Sequence, residues 1–472
     1  MKNQLTDTIA AIATPPGAGG VGVVRISGPD AFQIAEEVFR RRDGRLVRDL
    51  GGYQAAIGEI IDPKDGQLID EAICLCMREP RSYTGENVIE LQCHGGVYLM
   101  QRVLDVVLAH GARLADRGEF TRRAFLNGRL ELTQAEAVLD LIQAESETAH
   151  RLAIQQLKGS LQRPLMDITA RLLGWVAQIE ALIDFPEDEV EGYSRQQLLE
   201  ELSQLLERLR SMAESYHQGK IARQGLPTVL LGRPNVGKSS LFNLLAGQDR
   251  AIVTDTPGTT RDVIEERIRW GKLVLVLSDT AGIRNTEDQV EKIGVERSWK
   301  AADEAQLQII LFDVTALPEE EEEHLLQQIH TEQSVFLLNK IDLGGNPDEW
   351  RRWLTNRNAS PERIFDVSAK DGTGLDEVRQ WLEQHFLPRL AGGYAGEGKD
   401  QPAIITHLRH RQAILEAIEH LSHAEDLILH NGPEELIAAE FRSAWSALAS
   451  ITGELVEDDI LTQIFSRFCI GK

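Results

Sequence analysis

Residues 232–239, GRPNVGKS, restrict this chain more than any other stretch. They fit the pattern G-x-x-x-x-G-K-[ST], follow the strand-like run TVLL directly and lead into the helix-like SLFNLLAG. The backbone N–H groups of such a strand–loop–helix turn wrap phosphate oxygens at a helix N-terminus. Lys238 would reach the β- and γ-phosphates and Ser239 would ligate Mg2+, with Asn235, Val236, Gly237 and Ser240 completing the cradle. Around this loop, residues 227–388 alternate strand-like runs (TVLLG, KLVLVLSD, QIILFDV, SVFLLNK) with helical ones. That alternation predicts a parallel sheet wrapped by helices.

Further elements follow in order, each at the end of a strand-like run. In DTAG (279–282), Asp279 is placed to hold Mg2+ through water and Gly282 to offer its N–H to the γ-phosphate, with Thr280 and Ala281 between them. In NKID (339–342), an amide and a carboxylate stand at a spacing that reads guanine. Asn339 would face O6 and N7, Asp342 would accept from N1–H and the 2-amino group, and Lys340 lies between. Adenine lacks both donors, so the wrong base leaves the carboxylate unpaired, a loss of roughly 1.5–3 kcal/mol or more. In SAK, Ser368, Ala369 and Lys370 supply a backbone N–H for O6. The Thr/Gly-rich stretch TDTPGTTRD (254–262), an ordinary turn in isolation, lies between the loop helix and DTAG and reads as a switch. It contributes Thr254, Asp255, Thr256, Pro257, Gly258, Thr259 and Thr260, with Thr260 as the Mg2+ ligand that senses the γ-phosphate.

The hydrolytic machinery is incomplete in the sequence. Many small GTPases place a glutamine soon after DTAG to orient the attacking water. Here Ile283 follows the glycine, and an isoleucine cannot hydrogen-bond water. Arg284, Glu287, Asp288 and Glu291 are the charged candidates in this second switch, and each also reads as a solvated loop charge. A monovalent cation is an alternative source of positive charge. Asn235 and oxygens from TDTPGT would form its pocket, and it would stabilise developing charge as an arginine finger does.

The 472 residues suggest about three domains at roughly 150 residues each. Residues 1–120 read as α+β, with TIAAIA, VGVVRIS, EAICLCM and NVIELQC as strands. Residues 121–218 turn helical. Leu157, Leu161, Leu165, Ile168, Leu172, Val176, Ile179 and Ile183 recur at steps of three and four, one face of a long helix that Pro164 would bend. The pattern repeats in QLLEELSQLLERLRSM and breaks at GKIARQGLP. The α/β segment occupies 219–388, and 389–472 is helical again after the flexible AGGYAGEGKDQP. The reading is an all-α domain split in sequence, with an α/β P-loop domain inserted into it. The run EEEEE at 319–323 reads as an exposed first helical turn. The net charge of −24 excludes a general basic surface, so any nucleic-acid contact needs a local basic patch or a basic partner. No apolar run is long enough to span a membrane and no signal peptide is visible, which predicts a cytoplasmic protein.

These motifs, with TIAAIATPPGAGGVGVVRISG, YTGENVIELQCHGG, RGEFTRRAFLNGRLELTQAEAVLDLI, IDFPEDE and the final FCIGK, make the chain resemble the tRNA-modification GTPase family MnmE, also called TrmE, over its whole length. The resemblance implies a homodimer formed through an N-terminal folate-binding domain. It implies GTP hydrolysis assisted by K+ as the G domains pair across the dimer. It implies a heterotetramer with the flavoprotein MnmG (GidA), which supplies FAD. Together they would install a carboxymethylaminomethyl or aminomethyl group at C5 of the wobble uridine of certain tRNAs. The one-carbon unit would come from a tetrahydrofolate derivative, the 5-formyl or methylene form. Carried over by motif, the K+ ligands fall on Asn235, Thr254, Thr256 and Thr259, and the catalytic carboxylate on Glu291, alongside Lys238. The folate contacts fall on Arg25, Glu90, Arg129 and Lys472. Some members carry lysine in place of Arg129, and Thr256 replaces an aliphatic residue, which a carbonyl ligand tolerates. A GTP-dependent switch of another kind, such as a ribosome-assembly factor, would share the nucleotide motifs without the one-carbon chemistry.

Three features point elsewhere at first sight. GAGGVG (17–22) fits a dinucleotide fingerprint but is preceded by PP and followed by the strand-like VVRIS, so it reads as a turn. Cys74 and Cys76, with Cys93 and His94, have poor spacing for zinc and read as core residues. Cys469 in CIGK lacks the last residues of a prenylation box. The tail is expected to dock against the N-terminal pocket, with Cys469 in a chemical or substrate-contact role or simply packed.

Overall fold

The computed structural model describes residues 7–184, 194–248, 266–277, 305–329, 331–386, 403–456 and 458–472. The chain forms two compact units. One comprises Met1–Leu139, Gln156–Ala181 and Phe441–Lys472; the other comprises Asp140–Gln155 and Leu182–Glu440.

The first unit is built on a seven-stranded sheet of order β3-β4-β5-β6-β2-β1-β7. The strands are β1 (Ile9–Ile12), β2 (Gly19–Ser27), β3 (Phe39–Arg41), β4 (Gln54–Ile61), β5 (Leu68–Met77), β6 (Val88–Gly95) and β7 (Arg113–Leu114). Every neighbouring pair is antiparallel except β1 and β7. Alternate residues Val24, Ile26, Ala72, Cys74, Cys76, Ile89, Leu91 and Cys93 face inward, the period of two that a half-covered sheet requires. The helices Ala31–Val38 and Val97–Ala109 cover that face with Ile34, Val38, Val103 and Val107. The three cysteines are therefore core residues. Only Gly17 and Ala18 of the glycine-rich hexapeptide lie outside β2. Gly19 and Gly22 already pair with Gly95 and Cys93 across an irregular register.

The helical text resolves differently from its periodicity. In place of one helix bent at Pro164 there are two, Glu147–Leu157 and Gln162–Asp184. Gly159, at φ +84°, turns the chain between them. Pro164 falls in the first turn of the second helix, where its missing N–H has no carbonyl to meet. In this unit Leu132, Ala135, Leu461, Phe465 and Phe468 form a separate apolar cluster.

The second unit holds a six-stranded sheet of order β13-β12-β11-β8-β10-β9. Its strands are β8 (Leu226–Leu231), β9 (Glu266–Trp270), β10 (Leu273–Leu277), β11 (Leu307–Asp313), β12 (Ser334–Asn339) and β13 (Ile364–Asp366). Only β9 runs antiparallel to its neighbour. Both faces are covered, so both strand parities are apolar. Leu230, Leu275, Ile309, Leu311 and Leu337 enter one core. Val229, Leu231, Ile310, Phe312, Phe336 and Leu338 enter the other, against Trp350. The sheet grows from β8 toward β10 on one side and toward β11 on the other. The crevice outside the carboxyl ends of β8 and β11 is thus the reversal point at which such sheets bind ligands. The expected break at GKIARQ is instead a helix, Tyr216–Gln224, which ends at Gly225. The helices Arg195–Glu214 and Leu408–Leu429 pack along each other in the same unit. Arg195 there meets Glu434 and donates to Asn431 Oδ1 at 2.9 Å.

Candidate functional site

The phosphate loop leaves β8 at Leu231 and enters the helix Lys238–Gln248. Its path needs left-handed backbone at three places: Gly232 (φ +139°), Asn235 (φ +66°) and Gly237 (φ +105°). A Cβ on Gly232 would stand 2.5 Å from the Leu311 carbonyl, and one on Gly237 would overlap Asn339 Nδ2. The two glycines therefore serve close approach to neighbouring strands as well as the turn. Val236 is buried, and Ser239 and Ser240 lie in the helix's first turn. Lys238 Nζ donates to the carbonyls of Gly232 at 2.6 Å and Arg233 at 2.8 Å, so the ammonium is held inside the loop's own curve.

Asn339, the last residue of β12, is 2% exposed. Its Nδ2 donates to Val236 O at 2.6 Å and its Oδ1 accepts from Ala369 N at 2.8 Å. The side chain expected to face a base thus also braces the phosphate loop to the SAK segment, a use that linear spacing did not disclose. Lys340 (φ +70°) turns its Nζ onto Asp313 Oδ2, 2.5 Å away at the end of β11. Burial alone would raise the Asp313 carboxyl, but Lys340 and Thr315 outweigh it and hold it low. Asp342 is exposed on the turn Ile341–Leu343. Ser368 is buried and Lys370 exposed. Phosphate loop, NKID and SAK therefore meet at the carboxyl ends of β8, β12 and β13.

Arg233, an unassigned position within the loop pattern, has a defined place. Its Nη1 lies 2.9 Å from Glu319 and 3.1 Å from Glu322, and its Nε 2.8 Å from Glu321. Those carboxylates raise its already high pKa, chiefly through Glu322. The acidic run does begin a helix, Glu320–Gln328, with Glu319 as its N-cap. Glu319, Glu320 and Glu321 are exposed as expected, whereas Glu322 is 4% exposed and serves the loop arginine. Glu323 is taken by Arg357.

Thr254, Asp255, Thr256, Pro257, Gly258, Thr259, Thr260, Asp279, Thr280, Ala281, Gly282, Arg284, Glu287, Asp288 and Glu291 lie outside the described residues. Of the expected metal ligands, Ser239 and Asn235 are placed, both on the loop whose shape suits a nucleotide's phosphates.

A second constellation lies in the first unit. Arg25 on β2 and Glu90 on β6 are register partners joined at 2.8 Å. Arg25 Nη1 also donates to Gly471 O at 3.3 Å, and its guanidinium lies 5.5 Å from the ring centres of Tyr83 and Phe120. The tail docks here by main chain. Ile470 bridges Arg117, Gly118 N donates to Cys469 O at 3.4 Å, and Phe120 N donates to Lys472 O at 3.2 Å. Gly471 (φ +97°) lies so close to Ile12 O that a Cβ would overlap it. Burial pushes the Lys472 ammonium down and Arg25 adds to this, against Glu90 and Cys469. Burial raises the Tyr83 phenol, whose oxygen is 2.8 Å from Thr121 Oγ1, while Arg25 and Arg129 pull it back. Arg25, Glu90 and Lys472 thus come together, with Arg129 close enough to act on Tyr83. Tyr83 and Phe120 were missed by sequence reasoning, which offers no signal for rings brought under an arginine by folding. Cys469 is exposed. Beneath this site Arg123, with its side chain fully buried, meets Asp7 at 2.7 Å, Glu119 at 2.9 Å and Glu86 at 3.3 Å.

Known proteins match this chain along its length. Residues 8–129 match the family described as GTP-binding protein TrmE N-terminus, and residues 132–469 match the MnmE helical domain. The chain is 43% identical over 466 residues to a protein of Heliobacterium modesticaldum named tRNA modification GTPase MnmE, covering 99% of each. Proteins of the same name from Acetivibrio thermocellus and Carboxydothermus hydrogenoformans are 41% and 39% identical, each over 99% of this chain and 99% and 100% of theirs.

Proposed function

The chain belongs to the tRNA modification GTPase MnmE family, and from that premise we propose that it is a K+-stimulated GTP hydrolase. It works with the flavoprotein MnmG (GidA), which brings FAD, to place a carboxymethylaminomethyl or aminomethyl group on C5 of the wobble uridine of certain tRNAs. The observation that carries the nucleotide half is the Asn339 brace, which joins the phosphate loop to the SAK segment at the sheet's reversal point.

On this reading Lys238 leaves the carbonyls of Gly232 and Arg233 and turns to the β- and γ-phosphates. Asn339, Lys340, Asp342, Ser368, Ala369 and Lys370 select guanine. Ser239 and Thr260 hold Mg2+, with Asp279 acting through water. Asn235, Thr254, Thr256 and Thr259 hold K+, which supplies positive charge beside the phosphates. Glu291 orients the attacking water. In the N-terminal domain Arg25, Arg129 and Lys472 meet the carboxylates of a 5-formyl- or methylene-tetrahydrofolate and Glu90 its pterin donors, while the exposed Cys469 contacts the reacting groups. The domain limits are 1–120, a helical domain of 121–218 and 389–472, and a G domain of 219–388. The protein acts as a cytoplasmic homodimer within a heterotetramer.

Two measurements test this. GTP hydrolysis compared in K+ and Na+ at equal ionic strength should be faster in K+, and equal rates defeat the cation. Reconstitution with the flavoprotein, GTP and a tetrahydrofolate derivative should modify the wobble uridine of an unmodified tRNA. An unchanged uridine defeats the one-carbon reading.

A further inference from the structure

Around the docked tail stands a group of arginines with no carboxylate partner among the described residues. Among the described residues, Arg117, Arg122, Arg129 and Arg467 have no acidic group within ion-pair distance, whereas in the same unit Arg102 meets Asp62 and Arg113 meets Asp7, Asp116 and Glu119. Their placement is tight in the fold. Arg117 bridges Ile470 through the main chain. Arg122 lies on the helix Glu119–Leu126, whose second residue donates to Lys472 O. Arg467 precedes Phe468, which is buried against Gly118. The Arg122 Nε is shielded from solvent and donates to nothing. Glu119 faces inward onto Arg113 and Arg123. Asp116 has an 88% exposed side chain directed at Arg113 from 3.8 Å. Asp458 and Asp459 sit at the opposite end of the helix Asp458–Phe465. In a chain of net charge −24, these arginines stand beside an exposed thiol and the exposed Ile470.

We propose that Arg117, Arg122 and Arg467 bind backbone phosphates of the RNA flanking the nucleotide presented to the tail. The inference rests on the tRNA reading above and gives it a surface. Guanidinium forks match phosphate oxygens bidentately, and an arginine without a carboxylate releases nothing in order to do so. Phosphate contacts fix register and orientation without reading sequence, which suits a site that must accept several tRNAs at one position. The general acidity of the chain then confines RNA to this patch and to whatever the flavoprotein provides.

The experiment measures binding of a fluorescent anticodon stem-loop with an unmodified wobble uridine to the full chain in complex with its flavoprotein, across a salt series. Arg117→Ala with Arg467→Ala should weaken binding about tenfold or more and lower the salt slope by roughly 0.7–0.9 for each phosphate no longer gripped. Lysine at both positions should retain the slope but only part of the affinity. GTP hydrolysis and tetrahydrofolate affinity should stay unchanged. Adding Arg122→Ala should deepen the loss; because its Nε is buried, the double variant carries the decision if the triple one fails to fold. The proposal is overturned if the wild-type complex binds the RNA and the double variant binds it equally well with the same slope. It is also overturned if tetrahydrofolate affinity falls instead, which would assign the patch to the folate's glutamate tail. A wild-type complex that neither binds nor modifies RNA overturns the tRNA reading itself, and this inference with it.

Discussion

The nucleotide crevice and the tail site solve recognition by opposite means. The first is made of main chain. Gly232, Asn235 and Gly237 shape a loop whose N–H groups would meet phosphate oxygens, and one short segment specifies it. The second is made of side chains brought from far apart, Arg25, Tyr83, Glu90 and Phe120, and closed by a tail 446 residues from Arg25. A loop of the first kind announces itself in sequence, whereas an assembly of the second kind exists only once the chain has folded. The first should fail abruptly when its lysine is removed. The second should fail through loss of docking while the rest of the molecule keeps working.

The largest expected effect separates the two at once. Lys238→Ala should lower kcat for GTP by about 10²–10³-fold, the range for removing one donor aimed at developing charge. Tetrahydrofolate affinity should be untouched, and a matching fall there would mean the sites are not independent. The converse variant is Gly471→Ala. Left-handed backbone costs an alanine about 1–2 kcal/mol before any overlap with Ile12 is counted. Tetrahydrofolate binding by calorimetry should weaken roughly tenfold or more, with GTP hydrolysis unchanged.

Within the crevice, Asn339→Ala strands two buried backbone partners, at about 1–3 kcal/mol each. KM for GTP should rise about tenfold or more, and a normal KM would show that the brace is dispensable. Arg233→Ala removes the clamp onto Glu319, Glu321 and Glu322. A few-fold rise in KM with kcat intact is expected, matched by Glu322→Gln and not added to in the double variant. Additive effects would break the pairing.

The smallest effect is a pH dependence of the tail-bearing unit. Burial would raise the Glu119 carboxyl, but Arg113, the Asp116 N–H and Arg123 outweigh it and leave it below its ordinary 4.5. Asp7 is likewise held below 3.8. With folded values depressed, the stabilisation is present above the ordinary values and lost as pH falls through the folded ones. Thermal melting followed from neutral pH downward should show this loss below about pH 4.5. Glu119→Gln should melt lower at neutral pH and lose less on acidification. Identical profiles would dissociate the network from stability.

How much of this could be read beforehand follows the same division. The strands of the parallel sheet were visible because burial on both faces makes them continuous apolar runs. The loop was visible because its glycines and lysine are contiguous. The arginine at 233 and the glutamates at 319–323 were both visible as residues, yet their pairing was not. It depends on the helix after β11 lying beside the loop after β8. Leu157 to Ile183 kept helical spacing across a break, because Gly159 turns the backbone without disturbing the apolar repeat. The short strands β3 and β7 have too few residues to show any period at all.

Because the Asn339 side chain spans Val236 and Ala369, the parts that would grip the two ends of a nucleotide form a single stiff bracket. A purine that sits badly would tilt that bracket and carry its misfit to the phosphate end. Discrimination between nucleotides should therefore be sharper in turnover than in binding.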